Sequence, residues 1–267
     1  MVWTGFPAGA RARRGAAAVG GGAAELAKHA YSMAIDVPGF GASRTRDRFE
    51  LHHATQKVAR FVQEHNLQDS ILVSHSIGST VAAILAATPG MRFRRSILVS
   101  GTLFRATRVA QRPWRMLTGG SLGLAVAAQF LVGVIPVTAA ARRLLAASRM
   151  VRWASLWPFV AAPHRLDPMT VVQALEGSGS PTVLRILLDA HRIDFEAIMH
   201  AIPHPVDLVW GSRDRLINAD DVGTAVELCK IANQYEISDC GHWPMIERTA
   251  ELVSLFVRWG LDESGNP

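Results

Sequence analysis

Cysteine is nearly absent. Cys229 and Cys240 are the only two, too few for a disulfide framework, and neither has the spacing of a metal site. Cys240 lies two residues before His242, yet neighbours so close along one loop are poorly placed for in-line activation of a thiol. Lysine is almost as scarce, occurring only at Lys28, Lys57 and Lys230, so the formal net charge of +6 is carried by arginine. The arginines are spread along the chain without a basic, aromatic-interleaved module, which argues against a nucleic-acid partner. His52, His53, His191, His200 and His204 share no metal-ligand spacing and read as surface or structural residues. No metal and no cofactor are expected. No charged start followed by an apolar core opens the chain, so no secretory signal is evident and cytoplasmic placement is the default expectation.

What is present begins with a core. A chain of 267 residues with 49% hydrophobic content can bury one large interior. Strand-like runs at 32–35, 70–73 and 96–100 alternate with helical patterns at 51–65 and 77–87. That alternation predicts a mostly parallel sheet covered on both faces, with function gathered at the carboxyl ends of its strands.

One of those strand ends carries a nucleophile signature. Ser76 stands at the centre of Ser74-His75-Ser76-Ile77-Gly78, directly after Ile71-Leu72-Val73 and before Val81-Ala82-Ala83-Ile84-Leu85. A serine held clear of the backbone on a sharp strand-to-helix turn needs small residues two before and two after, and Ser74 and Gly78 are both small. An ordinary buried turn with incidental serines is the plain alternative, so the decision rests on partners: a base to take the proton and an acid to fix the base. Pro205 to Gly211 reads as a buried strand ending in a turn, and Asp214 lies just past its end. Asp207, inside that apolar run, and Asp220, at the next helix start, are weaker candidates. A helix at 220–230 and a short strand at 235–237 then lead to Gly241-His242-Trp243-Pro244, where His242 sits on a loop able to swing toward a strand end.

Taken together, four blocks resemble the α/β-hydrolase family, whose members order their triad as Ser, then Asp or Glu, then His. They are Asp36-Val37-Pro38-Gly39-Phe40-Gly41-Ala42-Ser43, the elbow at Ser76, the Gly211-Ser212-Arg213-Asp214 turn and the Gly241-His242-Trp243-Pro244 loop. The resemblance implies an α/β-hydrolase fold, with Ser76, Asp214 and His242 as catalytic residues. It also implies an oxyanion hole from the N–H groups of Phe6 and Ile77. Thr4-Gly5-Phe6-Pro7 occupies the oxyanion loop, with threonine where the family usually has histidine. One or two antiparallel strands precede that loop in the family, and the three residues before Thr4 cannot supply them, so the expected sheet is trimmed at one edge or the recorded start is late. A serine nucleophile argues against the family's dehalogenases and epoxide hydrolases, which use aspartate there.

The expected organisation is a hydrolase core over residues 1–101 and 202–267, interrupted by a helical cap insertion over 102–201. From Leu117 to Ala141 there is no charged residue, between Arg112 and Arg115 on one side and Arg142 and Arg143 on the other. The run is long enough to cross a bilayer, but Gly119, Gly120, Gln129 and Pro136 and its many alanines favour a buried cap helix, with peripheral membrane contact through the cap left open. Trp153, Trp157 and Trp243 are the expected substrate-binding aromatics, for a hydrophobic small molecule. The implied activity is serine ester or thioester hydrolysis. A carbon–carbon bond hydrolase with the same triad and a non-catalytic ligand-binding homologue are the alternatives.

Overall fold

The structure is a computed structural model that describes residues 2–4, 26, 29–40, 43, 50–101, 135, 137–175, 182, 185–186, 189, 192–217, 219–228 and 231–260. Its strands are β1 (Val2–Thr4), β2 (Met33–Ile35), β3 (Ser70–His75), β4 (Phe93–Val99), β5 (Val206–Gly211) and β6 (Ile231–Ile237). They form one sheet in the order β2-β1-β3-β4-β5-β6, and every pairing is parallel. The helices are α1 (Leu51–Glu64), α2 (Gly78–Ala87), α3 (Ala139–Ala147), α4 (Arg149–Leu156), α5 (Pro168–Ala174), α6 (Phe195–Ala201), α7 (Ala219–Leu228), α8 (Pro244–Glu247) and α9 (Thr249–Gly260).

The period-2 alternation of a strand divides the interior into two layers. Leu72, Leu98, Val206 and Leu208 point to one face, where α1, α2 and α6 supply Val58, Val62, Leu85, Phe195 and Met199. Ile71, Val73, Ile97, Val99 and Val209 point to the other, against Leu252, Val253, Leu255 and Phe256 of α9. Burial on both faces is why β3 and β4 read as continuous apolar runs rather than alternating ones. On α1, the buried Leu51, Ala54, Val58 and Val62 recur at helical spacing and leave the other side polar.

The 102–201 segment divides between two places. Ala146, Leu156, Phe159, Val160, Val171 and Leu175 form a third cluster of their own, touched by Trp243. Ile186, Phe195 and Met199 instead join the sheet's core. Residues 117–134 and 136 of the uncharged run lie outside the described residues. Among the described residues no helix is long and apolar enough to cross a membrane.

Two elements differ from their sequence patterns. Strand β6 begins at Ile231, not Tyr235, because it is the edge strand: its residues alternate between half-buried and exposed, and polar Asn233 and Gln234 belong to it. Strand β4 begins at Phe93, since Arg94 and Arg95 are strand residues despite their charge.

β1 lies between β2 and β3, so the chain moves to one side of β1 and then crosses to the other. Such a reversal opens a crevice at the carboxyl ends of the strands on either side of it. Thr4, the last residue of β1, is in register with Ser74, two residues before Ser76.

Candidate active site

Ser76 follows the last residue of β3 and takes φ 53°. That left-handed backbone costs a serine about 1–3 kcal/mol and persists only when its surroundings over-determine it. The determinants are visible. The Ser76 N–H donates to Val99 O at 3.0 Å, extending the β3–β4 ladder by one residue, while Ser76 O accepts from Ser79 N–H at 3.0 Å as α2 begins. Ser74, where the family usually has glycine, has its extra hydroxyl buried and hydrogen-bonded to Ser79 Oγ at 3.0 Å. Ile77 occupies the N-cap of α2. Phe6 lies outside the described residues.

The acid comes from the β5 turn. Asp214 Oδ1 accepts N–H groups from Leu216 at 2.9 Å and Ile217 at 3.2 Å. Its side chain is fully buried, which pushes its pKa up. The neighbouring His242, by charge and by hydrogen bond, and the two backbone donors outweigh that burial and hold the carboxyl below its ordinary value. Asp207 is spoken for elsewhere: Arg95 Nη1 lies 2.7 Å from both of its oxygens, and Asn233 Nδ2 donates at 2.9 Å. Asp220 lies in the first turn of α7.

His242 stands between these two groups. Its Nδ1 lies 2.9 Å from Asp214 Oδ2, and its Nε2 lies 2.8 Å from Ser76 Oγ. A carboxylate only accepts, so Nδ1 carries the proton and Nε2 presents its lone pair to the serine hydroxyl. The ring is 1% exposed. Two loops must approach closely to achieve this. Arg213 N–H donates to Cys240 O at 2.8 Å, and a Cβ on Gly211 would meet Cys240 O at 2.2 Å and Gly241 O at 2.3 Å. Only glycine permits that crossing of the acid and histidine loops.

Other residues at the site were not legible as functional. His75, singled out only as part of the elbow, is buried and donates from Nε2 to His242 O at 2.8 Å, with the two rings 5.1 Å apart. Ser100, just past the end of β4, also takes a positive φ, 46°, and its buried hydroxyl has no hydrogen-bond partner among the described residues. Glu247 receives N–H groups from Gly241 at 2.9 Å and Ala161 at 2.8 Å. No local motif marks these contacts, since the partners meet only in the fold.

The tryptophans separate. Trp243 is half-buried and stacks on Phe159 at 5.2 Å and 19°. Trp157 is half-buried, with the Arg215 guanidinium 5.2 Å from its ring centre, and its carbonyl accepts from Arg215 Nη1. Trp153 is 55% exposed. Cys240 is buried and donates weakly to Gly241 O at 3.6 Å; burial pushes its thiol well up, which keeps it protonated and unreactive. Among the described residues no group of three or more His, Cys, Asp or Glu is placed to hold a metal ion.

A six-stranded parallel sheet with Ser76, His242 and Asp214 converging at its carboxyl edge matches the family the sequence resembles. The sequence profile of the alpha/beta hydrolase family matches residues 4–255, and the chain belongs to that family. Among solved structures it is similar to E-2-(acetamidomethylene)succinate hydrolase, at 14% identity and TM-score 0.67, over 98% of this chain and 91% of that one. It is also similar to a bacterial membrane phospholipase A, at 19% identity and TM-score 0.63, over 100% and 79% of the two chains. A third likeness is to 2-hydroxy-6-oxo-6-phenylhexa-2,4-dienoate hydrolase from Rhodococcus sp. strain RHA1, at 17% identity and TM-score 0.62, over 96% and 89%. At these identities the likeness is one of fold.

Proposed function

We propose that this chain is a serine hydrolase that cleaves an ester or thioester of a hydrophobic small molecule through an acyl-enzyme. The observation that carries the reading is the continuous relay from Asp214 through His242 to Ser76, at 2.9 and 2.8 Å. Ser76 Oγ attacks the carbonyl carbon as its proton passes to His242 Nε2, and Asp214 stabilises the imidazolium. The oxyanion accepts the Ile77 N–H at the start of α2, where free backbone donors and the helix dipole favour negative charge, and the N–H of Phe6. The His242 proton then goes to the departing alcohol or thiol. Water attacks the acyl group and gives a proton to His242, which passes it to Ser76 Oγ as the Oγ–acyl bond breaks, releasing the acid and free Ser76. A fluorophosphonate probe that labels the wild type but not Ser76→Ala supports this reading; a folded wild type that resists the probe favours a non-catalytic, ligand-binding homologue.

In this reading residues 139–175 belong to the cap formed by the 102–201 insertion, with Trp157 and Trp243 flanking the acyl or leaving group. The carbon–carbon bond hydrolase is the second reading, favoured by the fold likeness to the Rhodococcus enzyme. It uses the same three side chains, and hydrolysis of a vinylogous diketone with no turnover of aryl or long-chain acyl esters selects it. Leu144, Met150 and Trp153 are 69%, 77% and 55% exposed on α3 and α4. No acidic residue occurs from 138 to 166, whereas the exposed Arg143, Arg149 and Arg165 and the half-buried Arg142 do. That combination supports peripheral contact of the cap with an anionic lipid surface. Salt-sensitive co-sedimentation with phosphatidylglycerol vesicles but not phosphatidylcholine vesicles is the expected result, and equal failure on both counts against it.

A further inference from the structure

The loop that carries His242 is fixed on two sides. On the elbow side, His75 Nε2–H donates to His242 O at 2.8 Å. On the other, the segment after α4 supplies the grip: the His242 N–H donates to Phe159 O at 2.6 Å. The Phe159 ring stacks on Trp243. Glu247, at the end of α8, adds two contacts with one carboxylate, Oε1 to Gly241 N–H and Oε2 to Ala161 N–H. The packing is close, since a Cβ on Gly241 would meet Phe159 O at 2.6 Å, Ala161 N at 2.8 Å and Glu247 Oε1 at 2.9 Å.

Two backbone N–H groups, one from each segment, converge on Glu247. A carboxylate is the side chain that answers both, because each oxygen accepts and neither donates; an amide offers one acceptor and turns its NH₂ toward the second donor. Aspartate is one methylene too short to span the same pair. Burial raises the pKa of Glu247, and the Ala161 and Gly241 N–H groups with Arg248 oppose that rise. The carboxylate makes no hydrogen bond to Ser76 or Asp214; the Asp214 charge adds to the rise in its pKa, and its contact with the catalytic loop is the hydrogen bond from Gly241 N–H.

We propose that Glu247 is a positioning residue that locks the His242 loop to the Phe159–Ala161 segment, so that the reach of the imidazole to Ser76 depends on where the helices before that segment sit. The inference rests on the triad reading above. It makes the helical segment a determinant of proton transfer as well as of substrate fit, because a displacement of Phe159 is passed to His242 through one hydrogen bond and to Gly241 through Glu247.

The test uses the full chain as wild type, Glu247→Gln, Glu247→Asp and Tyr235→Phe. The last removes the 3.0 Å hydrogen bond to Glu251 and so serves as a stability control away from the loop. The readouts are the limiting labelling rate at saturating fluorophosphonate, the half-saturating probe concentration, the thermal midpoint and the downfield proton resonance of His242 Nδ1–H. Glu247→Gln is expected to lower the limiting rate about 10- to 100-fold, as a misplacement near 1 Å does, while the half-saturating concentration moves less than about 3-fold. Its His242 resonance shifts or broadens, and Glu247→Asp falls between it and the wild type. Tyr235→Phe lowers the midpoint and leaves the limiting rate and resonance in place. A folded Glu247→Gln with wild-type rate and resonance overturns the proposal, as does a rate loss that Tyr235→Phe reproduces at equal destabilisation. If Glu247→Gln does not fold, a Glu247→Asp protein indistinguishable from wild type overturns it. An unlabelled wild type overturns the triad reading instead, and the resonance of the variants then decides the clamp alone.

Discussion

His242 Nε2 lies 2.8 Å from Ser76 Oγ, and His204 Nε2 lies 2.8 Å from Ser96 Oγ. Both pairs are buried. They differ in everything around that contact. Ser76 lies past the carboxyl end of β3 in a left-handed conformation, whereas Ser96 is an ordinary residue of β4, opposite the first residue of β5. Behind His242 stands Asp214; His204 Nδ1 has no hydrogen-bond partner among the described residues. A buried carboxylate does lie nearby in the chain, but Asp207 is already held by Arg95 and Asn233. Burial alone acts on His204 and pushes its pKa from 6.5 down to about 4, leaving a neutral ring that cannot be stabilised as an imidazolium. On the proposed reading a serine–histidine contact alone is not a nucleophile: the third group and the strained, strand-end placement make the difference.

The sharpest way to break that comparison is to remove each hydroxyl. Ser76→Ala is expected to abolish probe labelling and lower ester hydrolysis by about 10⁴-fold or more. Ser96→Ala should leave kcat unchanged and cost about 1 kcal/mol in a urea titration; a comparable loss of activity in Ser96→Ala would erase the distinction. Next come the two carboxylates. Asp214→Asn preserves shape but removes the charge that fixes the His242 tautomer, so kcat falls about 10³- to 10⁴-fold. Asp207→Asn reverses the pattern, leaving the guanidinium of Arg95 short of its counter-charge and destabilising the fold by about 2–4 kcal/mol with kcat retained.

The smallest effect is one of pH. His204 binds its proton less readily in the folded chain than in the unfolded one, so acid favours unfolding. Its contribution to stability is complete above pH 6.5 and is lost as the pH falls toward 4. Asp214 acts in a lower window, since its carboxyl is held below 3.8 and its contribution disappears only as the pH falls beneath that value. Thermal midpoints measured from pH 7 to pH 4.5 should therefore fall a few degrees further in the wild type than in His204→Gln. Parallel curves would mean that the buried ring of His204 carries no such linkage.

The sequence placed Ser76, Asp214 and His242 because each sits in a local pattern: small residues around a turn, a carboxylate just past an apolar strand, a histidine beside glycine. The parallel sheet was legible for the same reason, its central strands being unbroken apolar runs. Strand β6 was read three residues long because an edge strand mixes Asn233 and Gln234 with Ile231 and Tyr235, a pattern with no apolar run to announce it. Arg95 hid the start of β4, since a charge inside a strand is intelligible only once Asp207 is known to face it from β5. The Glu247 contact with Ala161 spans 86 residues, and neither residue type is unusual where it stands. Helix α6 reads as one more helix of the 102–201 segment, and only three-dimensional packing shows Phe195 and Met199 against the sheet.

The crossing at Gly211 restricts how this chain can diverge. A single methyl group there would force apart two carbonyls belonging to the neighbouring loop, and no side chain elsewhere can yield to make room, because the obstacle is main chain. Gly223, on α7, meets nothing within 4 Å and is open to replacement. Two glycines twelve positions apart thus carry opposite freedom to drift, and any lineage that substitutes the first must rebuild both loops or give up the relay.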